Sequence, residues 1–87
     1  MSVVIFVPDV AEFAPVLAAA RQVANCRVIE PVQGYWRIVA EKELRFNRKA
    51  LGLKPALWYS MLSGGYRGRI TEYGRDNLRL EAEVFDK

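Results

Sequence analysis

The sequence contains no histidine and a single cysteine, Cys26. Without histidine it lacks the usual general base and the commonest metal ligand. One cysteine forms neither an internal disulfide nor a thiolate metal cluster, and Cys26 falls in a predicted strand, where it is expected to be a small buried side chain. We therefore expect no cofactor, no metal site and no enzymatic activity, although a non-catalytic subunit of an enzyme complex stays open.

Long hydrophobic runs are also missing. No run approaches the roughly 18 apolar residues of a membrane-spanning helix. The apolar start, residues 3–7, ends at Pro8 and predicts a strand rather than a signal peptide. At 87 residues, the chain (1–87) predicts a single domain. We expect it to be soluble and cytoplasmic, with no membrane partner.

Hydrophobic periodicity predicts an α+β fold. A first strand at 3–7 is followed by a helix from about Ala14, and a second strand, 26–30, is followed by a turn at 31–34. Residues 35–46 alternate between apolar and polar side chains, which predicts one long strand, continuous or broken near Lys42. Asn47 and Gly52 bound a short helical piece, and Pro55 begins a stronger one. This β-α-β-β-α-β order, with an additional C-terminal strand, predicts a ferredoxin-like sandwich with two helices on one face of a mainly antiparallel sheet.

The glycine- and arginine-rich segment 63–77 predicts a helix end followed by a β-hairpin that reverses near Gly74. The register that buries the apolar positions requires a turn with an odd number of residues. Arg75 at its tip is left without a partner. The expected cross-strand pairs are Glu72 with Leu78, Ile70 with Leu80, Arg69 with Glu81, Gly68 with Ala82, Arg67 with Glu83, and Tyr66 with Val84.

Positive charge is concentrated in the middle of the chain. Residues 42–79 carry nine Lys or Arg and three Asp or Glu, a net of +6, whereas the remainder has a net of −3. Between Glu43 and Glu72 there is no acidic residue. Such an asymmetry steers an anionic partner toward the basic region, although an ordinary solvated surface has the same composition.

We accordingly expect a small binding or regulatory domain that contacts an acidic protein surface or an anionic ligand through a basic helix–loop surface. None of its basic side chains has an assigned carboxylate partner. A homodimer through a sheet face or edge stays open, by analogy with other small ferredoxin-like domains. The expected contact residues are Arg45, Arg48, Lys49, Lys54, Tyr59 and Arg75.

Two short segments carry an alternative. "IFVPDV" (5–10) and "QGYWRIVA" (33–40) resemble the first- and third-strand signatures of RNA recognition motifs. The resemblance implies an RNA-binding domain that uses an open sheet face, with Phe6, Tyr35 and Arg37 at the positions of the family's stacking side chains. Arginine replaces the third aromatic residue. The other interpretation is that Phe6 and Trp36 are core residues.

Overall fold

The computed structural model describes residues 2–83, within which seven strands, three short α-helices and one 3-10 helix, Ala11–Phe13, form. The strands are β1 Val3–Pro8, β2 Cys26–Val32, β3 Tyr35–Ala40, β4 Glu43–Asn47, β5 Tyr66–Arg67, β6 Arg69–Tyr73 and β7 Asn77–Glu81. The helices are α1 Ala14–Arg21, α2 Arg48–Leu51 and α3 Pro55–Ser60. The predicted α+β class is confirmed.

The strands form two antiparallel sheets, so the prediction of a single sheet with both helices on one face is wrong. One sheet has the order β2-β3-β1-β5 and the other has the order β4-β7-β6. Helix α1 packs on β2 of the first sheet, whereas α2 packs on β4 of the second and also contacts α1. The chain changes sheets three times: at Lys42, through α2 and α3 between β4 and β5, and at Gly68.

The break at Lys42 divides the long strand predicted over 35–46. The alternation continues through it, because Ile38 and Ala40 before it and Leu44 and Phe46 after it are all buried. In one straight strand Lys42 would point to the same side, and burying an unpaired ammonium group costs several kcal/mol. The chain instead bends there, which leaves the Lys42 side chain exposed.

The change of sheet at Gly68 separates β5 from β6. Gly68 has a φ of +122°, and a Cβ at this position would lie 2.9 Å from the Glu81 carbonyl oxygen. Both features require glycine. Arg67 consequently pairs with Val4 of β1 instead of with Glu83, which corrects the predicted register. The predicted partner of Tyr66, residue 84, lies outside the described residues.

The hairpin of β6 and β7 follows the predicted register only at its start. The pairs Arg69–Glu81 and Ile70–Leu80 are confirmed, but a bulge follows Ile70, so that Glu72 pairs with Arg79 and Tyr73 with Leu78. The expected pairing of Glu72 with Leu78 is therefore wrong. Leu78 is fully buried, and the bulge places an aromatic ring beside it in place of a carboxylate. The bulge also removes the need for an odd-numbered turn.

The helix starts and the end of α2 match the sequence signals, whereas α3 ends at Ser60, earlier than the helix end predicted at the start of segment 63–77. Pro15 lies in the first turn of α1, the side chain of Asn47 accepts a hydrogen bond from the Ala50 amide, and Gly52 ends α2 in the left-handed conformation. Asn25, which precedes β2, is also left-handed, with a φ of 59°. Local chemistry therefore determines these boundaries.

One apolar core joins both sheets and the helices. Trp58 is its largest fully buried side chain. The strands contribute Val3, Ile5, Val7, Ile38, Ala40, Leu44, Phe46, Leu78 and Leu80, and the helices and their adjoining turns contribute Phe13, Val16, Leu17, Ala20, Leu51, Leu53, Trp58 and Met61.

Candidate functional site

The four-stranded sheet has one face on the core and one face turned away from it. In β1 the side chains of Val3, Ile5 and Val7 belong to the core, so Val4 and Phe6 point to the opposite side. We call that opposite side the open face. The strand pairings place on it Val4, Phe6, Arg27, Ile29, Tyr35, Arg37, Val39 and Arg67.

A row of four paired residues crosses the open face. Arg27 pairs with Val39, Val39 with Val4, and Val4 with Arg67. Neighbouring strands lie about 4.8 Å apart, so the two arginines are separated by about 14 Å at their Cα atoms. Val4, only 9% exposed, lies between them. The row is therefore an apolar centre with a guanidinium group at each end.

The next row places Arg37 in the middle of the face. Arg37 pairs with Phe6 on one side and with Ile29 on the other. Its guanidinium carbon lies 6.0 Å from the centroid of the Phe6 ring, which is the geometry of a cation–π contact. The Arg37 side chain is exposed and Phe6 is partly exposed. An accessible arginine and ring thus lie beside each other.

Tyr35 completes the set implied by the resemblance to RNA recognition motifs. It is 42% exposed, and its ring lies against Gly64, where a Cβ would be 2.6 Å from Tyr35 Cε1. The structure therefore brings Phe6, Tyr35 and Arg37 to one face of one sheet.

The open face is positively charged. Within residues 2–83, none of Arg27, Arg37 and Arg67 has a carboxylate oxygen within salt-bridge distance. Sequence reasoning missed Arg27 and assigned Arg67 to Glu83. The turn at 31–34, which connects β2 to β3, is a local signal that could have placed Arg27. The position of Arg67 depends on pairing with the distant β1, for which the sequence contains no local signal.

Trp36 lies on the other side of the sheet, against the core. Its indole Nε1 donates a hydrogen bond to Asp9 Oδ1 at 2.9 Å, and the Arg21 guanidinium lies 5.5 Å from its ring centroid. The interpretation of the two aromatics as core residues therefore holds for Trp36, which packs on the core, but not for Phe6.

Of the five basic side chains expected to lack acidic partners, two have them. Arg45 pairs with Glu43, with 3.1 Å between Nε and Oε2. Arg48 pairs with Asp76, with 2.9 Å between Nη2 and Oδ1. That expectation is wrong for Arg45 and Arg48, because β4 carries its own acidic residue and the hairpin tip folds back onto α2. Lys49 and Lys54 are exposed.

Hydrogen bonds connect the tip of the β6–β7 hairpin to α2 and α3. Arg48 donates from Nε to the Arg75 carbonyl oxygen and from Nη1 to the Leu53 carbonyl oxygen. Trp58 Nε1 donates to the Gly74 carbonyl oxygen at 2.9 Å. These contacts hold Arg75 beside α2, where its side chain is exposed.

Tyr59 lies on α3 close to this hairpin and is 54% exposed. Its ring centroid is 5.7 Å from that of Tyr73. We call the set of Lys49, Lys54, Tyr59 and Arg75 the tip surface.

Two nucleophilic side chains, Ser60 and Cys26, are hydrogen-bonded or kept protonated. The Ser60 hydroxyl donates to the Leu57 carbonyl oxygen at 3.0 Å. Burial raises the pKa of the Cys26 thiol, so little thiolate forms at neutral pH. Residues 2–83 hold no group of three or more Cys, Asp or Glu side chains placed to bind a metal ion. In the same part of the chain, no helix has the length and apolar character needed to cross a bilayer.

Comparison with known proteins yields no assignment: no family model matches the chain, and no curated protein sequence does. The two surfaces of the molecule are therefore the basis for a functional proposal.

Proposed function

We propose that this protein is a non-enzymatic binding domain whose open face binds single-stranded RNA. The observation that carries the proposal is the exposed Arg37 over the Phe6 ring, in the middle of a sheet face that Arg27 and Arg67 flank without carboxylate partners. Such a face offers a ring for stacking and cations for phosphates.

The energetics favour an unstacked single strand over a duplex. Stacking of one base on an aromatic ring contributes about 1–3 kcal/mol, and the faces of the bases are accessible only where the strand is unpaired. Phe6 and Tyr35 are the rings for this purpose. Arg37 lies between a stacked base and the phosphate that follows it, and a guanidinium group contacts either one.

We also infer that the four-stranded sheet and α1 form a ferredoxin-like unit. Its order β2-β3-β1-β5 places the first and third strands at the centre, and α1 connects two strands that flank β3. The second sheet then has two parts. Strand β4 belongs to an insertion between β3 and β5, and β6 and β7 form a C-terminal hairpin. A reducing compartment suits a single unpaired thiol, so we propose a cytoplasmic location.

A titration of fluorescently labelled single-stranded RNA of about eight nucleotides, a length within the site size of single-strand-binding folds, tests the proposal by anisotropy. Three arginine–phosphate contacts predict a slope of log K against log salt of about −2 between about 50 and about 200 mM salt. A protein that does not bind this RNA at the lower salt concentration contradicts the proposal.

Two variants locate the site. Arg37→Gln removes the central cation, and Phe6→Leu removes the ring while keeping an apolar side chain. Each is expected to weaken RNA binding at least fivefold, that is, by about 1 kcal/mol or more. Arg69→Gln is the matched control, since it removes an exposed arginine from the other sheet. An equal loss in all three variants would show that only net charge matters and that the open face is not the site.

A further inference from the structure

The tip surface owes its arrangement to Arg48. This guanidinium group contacts Asp76 Oδ1, the Arg75 carbonyl oxygen and the Leu53 carbonyl oxygen, at 2.9 to 3.1 Å. Each exposed cation of the tip surface is one of these residues or its neighbour in the chain: Lys49 follows Arg48, Lys54 follows Leu53, and Arg75 is itself an acceptor. Arg48 therefore holds the backbone near Lys54 and at Arg75 next to α2, which carries Lys49.

The same contacts remove the local negative charge. Asp76 is the acidic residue at the tip, and its carboxylate is paired with Arg48. Within the described residues, Lys49, Lys54 and Arg75 have no carboxylate oxygen within salt-bridge distance. The surface thus presents three uncompensated cations on a fixed frame.

Exposed apolar area lies next to these cations. Pro55, Ala56 and Tyr59 of α3 are exposed, and Tyr59 is braced on one side by Tyr73. An RNA strand would use only the Tyr59 ring of this area, for stacking a base, whereas a polypeptide supplies carboxylates for the cations and apolar side chains for Pro55, Ala56 and Tyr59. Aromatic residues and arginine are enriched in protein–protein interfaces.

We propose that the tip surface docks an acidic segment of a partner protein, with its carboxylates on Lys49, Lys54 and Arg75 and an apolar side chain on Tyr59. Helix α2 contacts α1 on the core side of the four-stranded sheet, so this surface lies across the core from the open face. RNA and the acidic segment therefore bind without competing.

The probe is a labelled peptide of about ten residues, rich in glutamate with one central phenylalanine, titrated against the full chain at low salt, where charge attraction is least screened. The double variant Lys49→Glu/Lys54→Glu is expected to weaken peptide binding at least tenfold, through two lost attractions and two new repulsions. The matched control Lys42→Glu/Arg69→Glu makes the same change in net charge away from the tip surface. Its peptide affinity is expected to stay within about threefold of that of the unchanged protein, because the replaced charges act on the peptide only at long range. Tyr59→Ser is expected to weaken peptide binding while leaving the charge unchanged.

RNA binding separates this proposal from the preceding one. The Lys49→Glu/Lys54→Glu variant is expected to lose no more than about threefold in RNA affinity, because exposed charges away from the contact act only at long range. Failure of RNA to bind leaves the peptide result intact, and the converse also holds. Displacement of the peptide by RNA, an equal loss in the control variant, or a peptide that does not bind at millimolar concentration would each overturn the docking proposal.

Arg48 is a positioning residue in this proposal. Arg48→Lys keeps the charge but lacks the fork that reaches three acceptors. It is expected to weaken peptide binding and to shift the amide resonances of Gly74 and Arg75, with RNA affinity unchanged. Full peptide affinity in Arg48→Lys, accompanied by shifted tip resonances, would show that the arrangement of the tip does not matter and would overturn the proposal.

Discussion

The Arg48 guanidinium donates to one carboxylate oxygen of Asp76 from two nitrogens, Nε at 3.1 Å and Nη2 at 2.9 Å. The two side chains are 16% and 31% exposed. This pair connects α2 to a hairpin tip 28 residues away in the chain. It is shielded from solvent far more than the Arg45–Glu43 pair, in which the side chains are 65% and 37% exposed.

Asp76→Asn is expected to lower the free energy of unfolding by about 1–3 kcal/mol, because it leaves a partly buried guanidinium group with a neutral partner. Urea denaturation measures the change. Glu43→Gln is the control, and loss of its exposed pair is expected to cost less than about 1 kcal/mol. Equal costs for the two substitutions would contradict the importance assigned to the tip contact.

Gly64→Ala is expected to destabilise the protein by about 1–3 kcal/mol through overpacking. Its Cβ would lie 2.5 Å from the Phe6 carbonyl oxygen, a backbone atom that cannot rotate away. Gly74→Ala offers the contrast, since a Cβ there meets nothing within 4 Å. Melting temperatures distinguish the two. A Gly74→Ala protein that melts at or above the original temperature, beside a Gly64→Ala protein that melts lower, is the expected pattern.

Because of Tyr73, the free energy of unfolding is expected to fall as the pH becomes alkaline. Burial, and secondarily the neighbouring Tyr59, raise the pKa of Tyr73 above its ordinary value of 10.0. The unfolded chain therefore releases this proton first, so the stability contributed by the neutral phenol is present below about pH 10 and is lost as pH rises through the folded pKa. Tyr73→Phe is expected to show a smaller loss of stability between neutral pH and pH values above about 10. Urea titrations at both pH values test this, with Tyr66→Phe, an exposed tyrosine, as the control.

Tyr35 and Trp36 are adjacent in sequence and lie on opposite sides of the sheet. Trp36→Phe loses the hydrogen bond to Asp9 and is expected to cost about 1 kcal/mol of stability, with RNA affinity within about twofold of the original. Tyr35→Leu is expected to weaken RNA binding with little effect on stability. Circular dichroism melts and RNA titrations of both variants give the comparison, and the reverse pattern would place the binding face on the wrong side.

Sequence patterns predicted the elements better than their assembly. Asn47, Gly52 and Pro55 act on their immediate neighbours, so the bounds of α2 and the start of α3 follow from local chemistry. The two-sheet arrangement depends on the bend at Lys42 and on the change of sheet at Gly68, and the register of the β6–β7 hairpin depends on the bulge after Ile70. At each of these points regular strand pairing conflicts with the burial of neighbouring apolar side chains. Which of the two prevails depends on contacts across the complete fold.

The candidate surfaces were predictable to different degrees. Phe6 and Arg37 share a face because strand alternation and one pairing place them there. Arg27 joins that face through the β2–β3 hairpin, whereas Arg67 joins it from β5, whose neighbour β1 is far away in the chain. The acidic partner of Arg48 lies beyond one further helix and two strands, and for that reason the basic region appeared unpaired in the sequence.

The pairing of β4 with β7 has a consequence for how the chain assembles. Glu43 pairs with Glu81 and Asn47 with Asn77, so β4 has no sheet neighbour until nearly all of the described chain has been synthesised. The β2–β3 hairpin, in contrast, closes through the two residues Gln33 and Gly34. During synthesis Leu44 and Phe46 have no cross-strand partners until Leu78 and Leu80 have been added to the chain. The surface that Arg48 organises consequently forms late in synthesis: a chain that stops before residue 76 has all the strands that carry the open-face residues but lacks the Asp76 carboxylate that Arg48 binds.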